Sequence, residues 1–334
     1  MSKRVMKLIL NAKHKALVDS ITDEKVKELV QKNSIITGGA IASILLKEEI
    51  KDFDFYFTNF ETCKAVAYYY VNQFIKEHTD CKVKPEVIIT TENMHSEDGK
   101  IAEVTEAEEV NLKNRVRIRI QSAGVAGDDK STIQLSEDEE DYIEKSNANP
   151  TEVLTKADEV DAKSIGNLHG HGTEQGRFRP IYLTDNAITL SDKAQLIIRF
   201  YGDAEEIHRN YDYVHCTNYW KSSNKELVLH AEALESLLTK QLFYMGSRYP
   251  LCSLIRMRKF IKRGWSCDAG QILKMCFQIS KLDLSDIPTL EDQLTGVDQA
   301  YFRMIIDYLQ QEQAKNENWV MDLPYLVSLV DKIF

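Results

Sequence analysis

The stretch Ile35–Phe57, which reads IITGGAIASILLKEEIKDFDFYF, constrains the fold of this chain more than any other segment. Its pattern predicts an apolar strand, a Gly-Gly turn, a short helix from about Ala40, and a second strand that carries Asp52 and Asp54. Residues i and i+2 of a strand lie on the same face, so both carboxylates point the same way from an otherwise aromatic strand.

Two carboxylates held side by side repel each other, and burying them unpaired costs on the order of 2–5 kcal/mol. Divalent cations remove this cost, and such hard oxygen ligands suit Mg²⁺ or Mn²⁺. Gly38 and Gly39 allow backbone amides to approach a phosphate at the positive N-terminus of the following helix. A phosphate cradle beside a metal-binding pair is the arrangement that phosphoryl or nucleotidyl transfer needs. The alternative is a glycine turn before an unrelated strand with two surface aspartates.

The glycine pair, the twelve residues that follow it and the sequence DFDF resemble the signature of the DNA polymerase β-type nucleotidyltransferase superfamily, which includes CCA-adding enzymes and poly(A) polymerases. The resemblance implies an α/β catalytic domain with a mixed sheet. It also implies that Asp52 and Asp54 hold two Mg²⁺ or Mn²⁺ ions, and that Gly38, Gly39 and Ser43 contact the phosphates of a nucleoside triphosphate (NTP) substrate. Where CCA-adding enzymes have Val-Arg-Asp after the glycine pair, this chain has Ile-Ala-Ser.

A third carboxylate is predicted further along the chain. Strands are predicted over 181–184, 187–190 and 195–200, followed by a short helix capped by Asp203 and a strand over Tyr211–Val214. This order is similar to the place where the superfamily carries its third metal-binding carboxylate, which makes Asp212 the candidate. The alternative is an edge-strand aspartate that caps a neighbouring turn.

From about Ala231 the apolar spacing is helical to the end of the chain. Seven basic residues fall between 240 and 263: Lys240, Arg248, Arg256, Arg258, Lys259, Lys262 and Arg263. Bases at spacings of three to four share one helix face, so this segment could bind triphosphate or an RNA backbone, with Lys240 and Arg256 as the preferred triphosphate contacts. The alternative is a solvated surface helix that offsets acidic charge elsewhere.

The helix expected after Pro250 is similar to the segment that follows the catalytic domain in CCA-adding enzymes and bacterial poly(A) polymerases. There a proline-led helix runs through arginines, matched here by Arg258, to a glycine-aromatic pair, matched here by Gly264 and Trp265. The aspartate that precedes the proline in those enzymes is Tyr249 in this chain.

Between the predicted strands, residues 122–180 form an acidic stretch that is poor in large apolar residues, which predicts a flexible insertion. His169 and His171 within it could bind a metal, but no partner lies at ligand spacing, and a flexible loop explains them better. Over residues 115–121, alternation places three arginines on one face of a strand, predicted to be solvated, with phosphate contact as the alternative.

Composition narrows the function classes. The 334 residues carry a net charge of −10, so contact with nucleic acid requires a local basic patch. The six cysteines include no C-x-x-C pair, and no apolar run is long enough to span a membrane, so a cytoplasmic protein with reduced thiols is predicted.

The sequence thus predicts a nucleotidyltransferase domain over 1–225, with an insertion at about 122–180, and an all-α domain over 226–334. The predicted function is metal-dependent, template-independent transfer of NMP from an NTP to an acceptor hydroxyl. The preferred acceptor is an RNA 3′ end, contacted through the basic segment 240–263. The alternatives are nucleotidylation of a protein or small molecule, and a non-catalytic binding or assembly subunit built on the same fold.

Overall fold

The computed structural model of the protein describes residues 2–77, 84–93, 112–119, 125–126, 177–294, 299–315, 319 and 322–333. Ten strands are formed by these residues: β1 Ser34–Thr37, β2 Phe53–Phe57, β3 Glu86–Asn93, β4 Leu112–Arg119, β5 Val125–Ala126, β6 Pro180–Leu183, β7 Ala187–Leu190, β8 Ala194–Tyr201, β9 Tyr219–Lys221 and β10 Glu226–Val228. The α-helices formed by them are α1 Lys3–Ser20, α2 Glu24–Asn33, α3 Gly39–Leu46, α4 Phe60–Glu77, α5 Ala204–His208, α6 Ala231–Thr239, α7 Pro250–Lys262, α8 Ala269–Ile279, α9 Ile287–Leu294, α10 Gln299–Lys315 and α11 Leu323–Ile333.

Eight of the strands form one sheet in the order β10-β9-β1-β2-β8-β7-β6-β5, while β3 and β4 form a separate antiparallel pair. Within the large sheet β2 and β8 are parallel, and the other neighbouring strands are antiparallel. The expectation of a mixed α/β fold with a mixed sheet and a helical C-terminal region is therefore confirmed.

One face of the sheet is covered by α1, α2 and α4, which bury the main hydrophobic core against it. Strand β2 follows the expected alternation: Phe53, Phe55 and Phe57 enter this core, whereas Asp54 and Tyr56 project from the opposite face. The aromatic residues around the two aspartates thus fix β2 in the sheet and orient Asp54 away from the core.

The opposite face carries α5 and the beginning of the helical region. A second apolar cluster joins α3, through Ala42, to Leu237 of α6 and Met275 of α8. The helical region consequently packs next to the edge of the sheet at which the glycine pair and the aspartates lie.

Several local predictions are corrected by the structure. Tyr211–Val214 is not a strand, because Tyr213 makes a single bridge to Tyr244 and a 3₁₀ helix begins at Val214.

The arginine face of β4 is also different from the prediction. Arg115 is buried and donates a hydrogen bond to Asn186 at 2.5 Å, while Arg117 pairs with Asp185 at 2.8 Å. The turn between β6 and β7 therefore buries Arg115 and partly covers Arg117, whereas Arg119 is exposed, as predicted for this face.

Most of the predicted insertion, including His169 and His171, lies outside the described residues. Within the described residues, no helix combines the length and hydropathy that a membrane span requires.

Candidate active site

The turn between β1 and α3 brings Gly38 against Asp54. Gly38 has φ +81°, in the region that favours glycine, and its N–H donates to the carbonyl of Cys216 at 3.1 Å. A Cβ at position 38 would lie 2.7 Å from Asp54 Oδ2 and 3.6 Å from the Tyr211 hydroxyl. Glycine at this position therefore permits the carboxylate to lie directly against the backbone.

Helix α3 begins at Gly39, as the sequence predicts, and has no acidic residue in its first turn. A Cβ at Gly39 would have no neighbouring atom within 4 Å, so this side of the helix N-terminus is open. Ser43 lies one turn further along α3 and is half-buried. The open, positive end of α3 next to Asp54 suits a bound phosphate.

The two aspartates of the DFDF sequence destabilise each other's charge. Burial raises the pKa of the Asp54 carboxyl well above its usual range, and the negative charge of Asp52 raises it further. Burial also raises the pKa of Asp52, although this residue lies just before β2, not on the strand as predicted, and reaches solvent. Nearby Lys259 opposes both shifts, which shows that positive charge is favourable at this point.

Helix α7 supplies the positive charge on the other side of the site. Burial lowers the pKa of Lys259, as do the nearby charges of Lys51, Arg263 and Arg256, while Asp52 opposes the shift. One turn away on each side, Arg256 pairs with Asp212 at 2.5 Å and Arg263 pairs with Glu48 at 2.6 Å. Lys259 thus acts on Asp52 and Asp54, while Asp212 and Glu48 hold the arginines on either side of it.

Asp212 lies just before the 3₁₀ helix, and its side chain is only 10% exposed. The Asp212 carboxylate accepts a hydrogen bond from Arg256, and the Asp212 backbone carbonyl accepts one from the N–H of Met245 at 2.9 Å. Among the described residues, no three His, Cys, Asp or Glu side chains are grouped closely enough to hold a metal ion. Asp212 is therefore near the site but is engaged by arginine, and its role as a third metal ligand stays a prediction.

The other predicted phosphate contacts are distributed differently. Lys240 ends α6 in the left-handed conformation, with its Nζ 3.9 Å from Glu48. Arg258 is exposed on α7, on a different face from Arg256 and Lys259. Of the basic residues in 240–263, Lys259 acts on both Asp52 and Asp54, whereas Arg256 is paired with Asp212.

Two tyrosines that were not predicted complete the site. The Tyr211 hydroxyl lies near Gly38, and the Tyr211 ring packs against that of Tyr56 with 6.0 Å between the ring centroids. Thr37 bonds His208 Nε2 at 2.9 Å, and burial lowers the pKa of His208 to about 4, so this ring is neutral at pH 7. Tyr56 could have been predicted as a site residue from the sequence, because it lies two residues after Asp54 and therefore on the same strand face.

The residues present fit a divalent cation in part. Asp52 and Asp54 supply hard oxygen donors, and their raised pKa values mean that a cation would relieve an existing electrostatic cost. This donor set comprises two carboxylates unless Asp212 exchanges its arginine partner.

Comparison with known proteins identifies the family. Residues 8–240, well over half of the chain, match the profile described as Gabija anti-defense 2 family protein. The chain belongs to the Gabija anti-defense 2 family. The matched region covers the large sheet, the glycine pair, both aspartates and Asp212, and it ends just after α6.

A protein of Bacillus phage SPbetaL7 named "Gabija anti-defense 2" is 23% identical over 107 residues. The aligned part is 31% of this chain and spans 27% of that relative's length. No solved structure matches the chain.

Proposed function

We propose that this protein is a metal-dependent nucleotidyltransferase built on a polymerase β-type fold. The observation that carries the proposal is the pair of carboxylates with raised pKa values, Asp52 and Asp54, beside the open N-terminus of α3 and facing the bases of α7. A site that holds two destabilised carboxylates next to backbone amides able to bind a phosphate is suited to a metal-bound triphosphate.

The reaction moves a nucleoside monophosphate to an acceptor hydroxyl. The acceptor oxygen bonds to the α-phosphorus, the bond from that phosphorus to pyrophosphate breaks, and the acceptor proton is released to solvent. Mg²⁺ or Mn²⁺ held by Asp52 and Asp54 would neutralise charge on the triphosphate. The amides after Gly38 orient the β- and γ-phosphates, and Lys259 stabilises charge that builds up on the leaving pyrophosphate.

The acceptor proposed from the sequence is an RNA 3′ end. A protein side chain is a second candidate, since Arg256, Arg263 and Lys240 face internal acids and so form no continuous surface for a nucleic-acid backbone. In line with the family's name, we propose that the transfer serves to counter a defense system, with one of its components or its RNA as the target.

Radiolabel transfer tests the proposal. The protein is incubated with each α-labelled NTP, Mg²⁺ or Mn²⁺, and either a pool of small RNAs or extracted protein. The Asp52→Asn/Asp54→Asn double variant is run beside the wild type, with Asp19→Asn as a matched control on the exposed face of α1.

Label that appears in RNA or protein with the wild type and Asp19→Asn, but not with the double variant, is the expected result and identifies the acceptor. NTP that binds without any transfer would favour the non-catalytic binding or assembly role instead.

A further inference from the structure

A row of polar side chains crosses the sheet at the level of Asp54. Thr37 of β1 is paired with Asp54 of β2, Asp54 with Gln195 of β8, and Gln195 with Thr189 of β7. Directly paired residues of neighbouring strands point to the same face of a sheet. The row therefore runs across four adjacent strands on one face.

Packing identifies that face. The main core contains the strand neighbours of Asp54, Gln195 and Thr189, which are Phe55, Leu196 and Ile188. Leu196 pairs with Phe55 on one side and with Ile188 on the other. Alternation then places Gln195 and Thr189 on the opposite face, the one from which Asp54 projects. Gln195 and Thr189 thus extend the floor of the candidate active site beyond the aspartate.

Both side chains are half-buried, and neither makes a side-chain hydrogen bond to another described residue. Thr37, at the other end of the row, by contrast bonds His208 and two backbone carbonyls. An amide and a hydroxyl that are accessible and unused next to a catalytic carboxylate are available to a ligand.

The direction of the reaction assigns them a ligand. In phosphoryl transfer the attacking and leaving oxygens lie roughly in line on opposite sides of the phosphorus. Gly38 and the N-terminus of α3 are found on the β1 side of Asp54, so a triphosphate bound there would place the leaving pyrophosphate on that side. The acceptor hydroxyl must therefore approach from the β8 side, over Gln195 and Thr189.

We propose that Gln195 and Thr189 form the acceptor subsite, and that they bind the 2′,3′-diol of a terminal ribose. Neighbouring strands are about 4.8 Å apart, so the two side chains present neutral hydrogen-bonding groups at one and two strand spacings from Asp54. Two adjacent hydroxyls match two adjacent neutral groups, whereas a serine or tyrosine acceptor offers a single hydroxyl. The assignment rests on the proposed nucleotidyl transfer.

The test compares two acceptors that differ in one atom. An RNA oligonucleotide with a terminal ribose and the same oligonucleotide with a terminal 2′-deoxyribose are titrated with wild type, Gln195→Met and Thr189→Val. Gln31→Met, an exposed glutamine on α2, is the matched control. Dissociation constants for Mg²⁺-NTP are measured in parallel on the same preparations.

Wild type and Gln31→Met should prefer the ribose acceptor in kcat/KM by about tenfold, the effect of one or two hydrogen bonds. Gln195→Met and Thr189→Val should each lose most of this preference, and their NTP affinity should stay within about twofold of wild type.

An unchanged ribose preference in both variants, a change confined to NTP affinity, or label that enters protein side chains alone would overturn the acceptor subsite while leaving nucleotidyl transfer intact. Absence of transfer by the wild type to any acceptor would instead overturn the proposed function, and the subsite with it. Thr189→Val provides an independent reading if Gln195→Met does not fold.

Discussion

Replacing Asp54 with asparagine should stabilise the metal-free protein, although Asp54 is expected to be essential for activity. Asp54 is half-buried, and the low polarity around it and the charge of Asp52 raise its pKa well above the value of 3.8 of an unperturbed aspartate. Asparagine keeps the shape and removes the charge. We expect a gain in free energy of unfolding of about 1–3 kcal/mol at pH 8.

The sign of the pH dependence follows from proton binding. Because the native pKa of Asp54 lies above the unfolded value, the native state binds more protons in the interval between them. The wild type therefore loses stability as pH rises through that interval, and Asp54→Asn does not have this loss. The advantage of the variant should be largest at pH 8 and should vanish below about pH 4.

Denaturant unfolding in EDTA at several pH values, with thermal unfolding beside it, measures this effect. For a protein of this size the gain corresponds to roughly 2–10 °C in Tm. Asp19→Asn should change stability by less than about 0.5 kcal/mol. Added Mg²⁺ should stabilise the wild type and leave Asp54→Asn unchanged.

A lower stability of Asp54→Asn than of the wild type at pH 8 in EDTA would refute a destabilising charge at Asp54. The same dependence of stability on pH in both proteins would refute the raised pKa of Asp54.

Two further perturbations follow from the contacts around the site. Gly38→Ala should destabilise the protein by about 1–3 kcal/mol, because φ is +81° and the new Cβ would lie 2.7 Å from Asp54 Oδ2. Gly39→Ala, the matched control, should be neutral or slightly stabilising. Equal Tm values for the two variants would contradict this account of the turn. Arg256→Gln should lower the free energy of unfolding by about 1–3 kcal/mol, less than the loss of a fully buried ion pair, because the arginine side chain is 39% exposed. Denaturant unfolding of a double-mutant cycle with Asp212→Asn should give a coupling energy of about 1 kcal/mol or more. Additive effects of the two substitutions would count against the ion pair.

The strand–turn–helix–strand unit could be predicted because its signals are local. Alternating aromatics placed β2, and the glycine pair placed the turn before α3. The Asp203 cap of α5 was predicted for the same reason, and its side chain accepts from the N–H of Glu206.

Tyr211–Val214 was the misleading segment. Its aromatic and branched residues have strand propensity, but Tyr213 is instead buried against Tyr244 and Phe260, and its hydroxyl donates to the carbonyl of Ser253. Packing against the helical region outweighed local propensity there.

The sequence by itself determined the mixed α/β class, the glycine pair at the start of α3, and the projection of Asp54 from the face opposite the core, because each depends on residues that are close in the chain. Tertiary structure alone decided which side chains meet: Arg256 with Asp212, Lys259 near Asp52, and Gln195 beside Asp54. Strand register and helix docking join residues more than 40 positions apart, and no local pattern encodes such pairings.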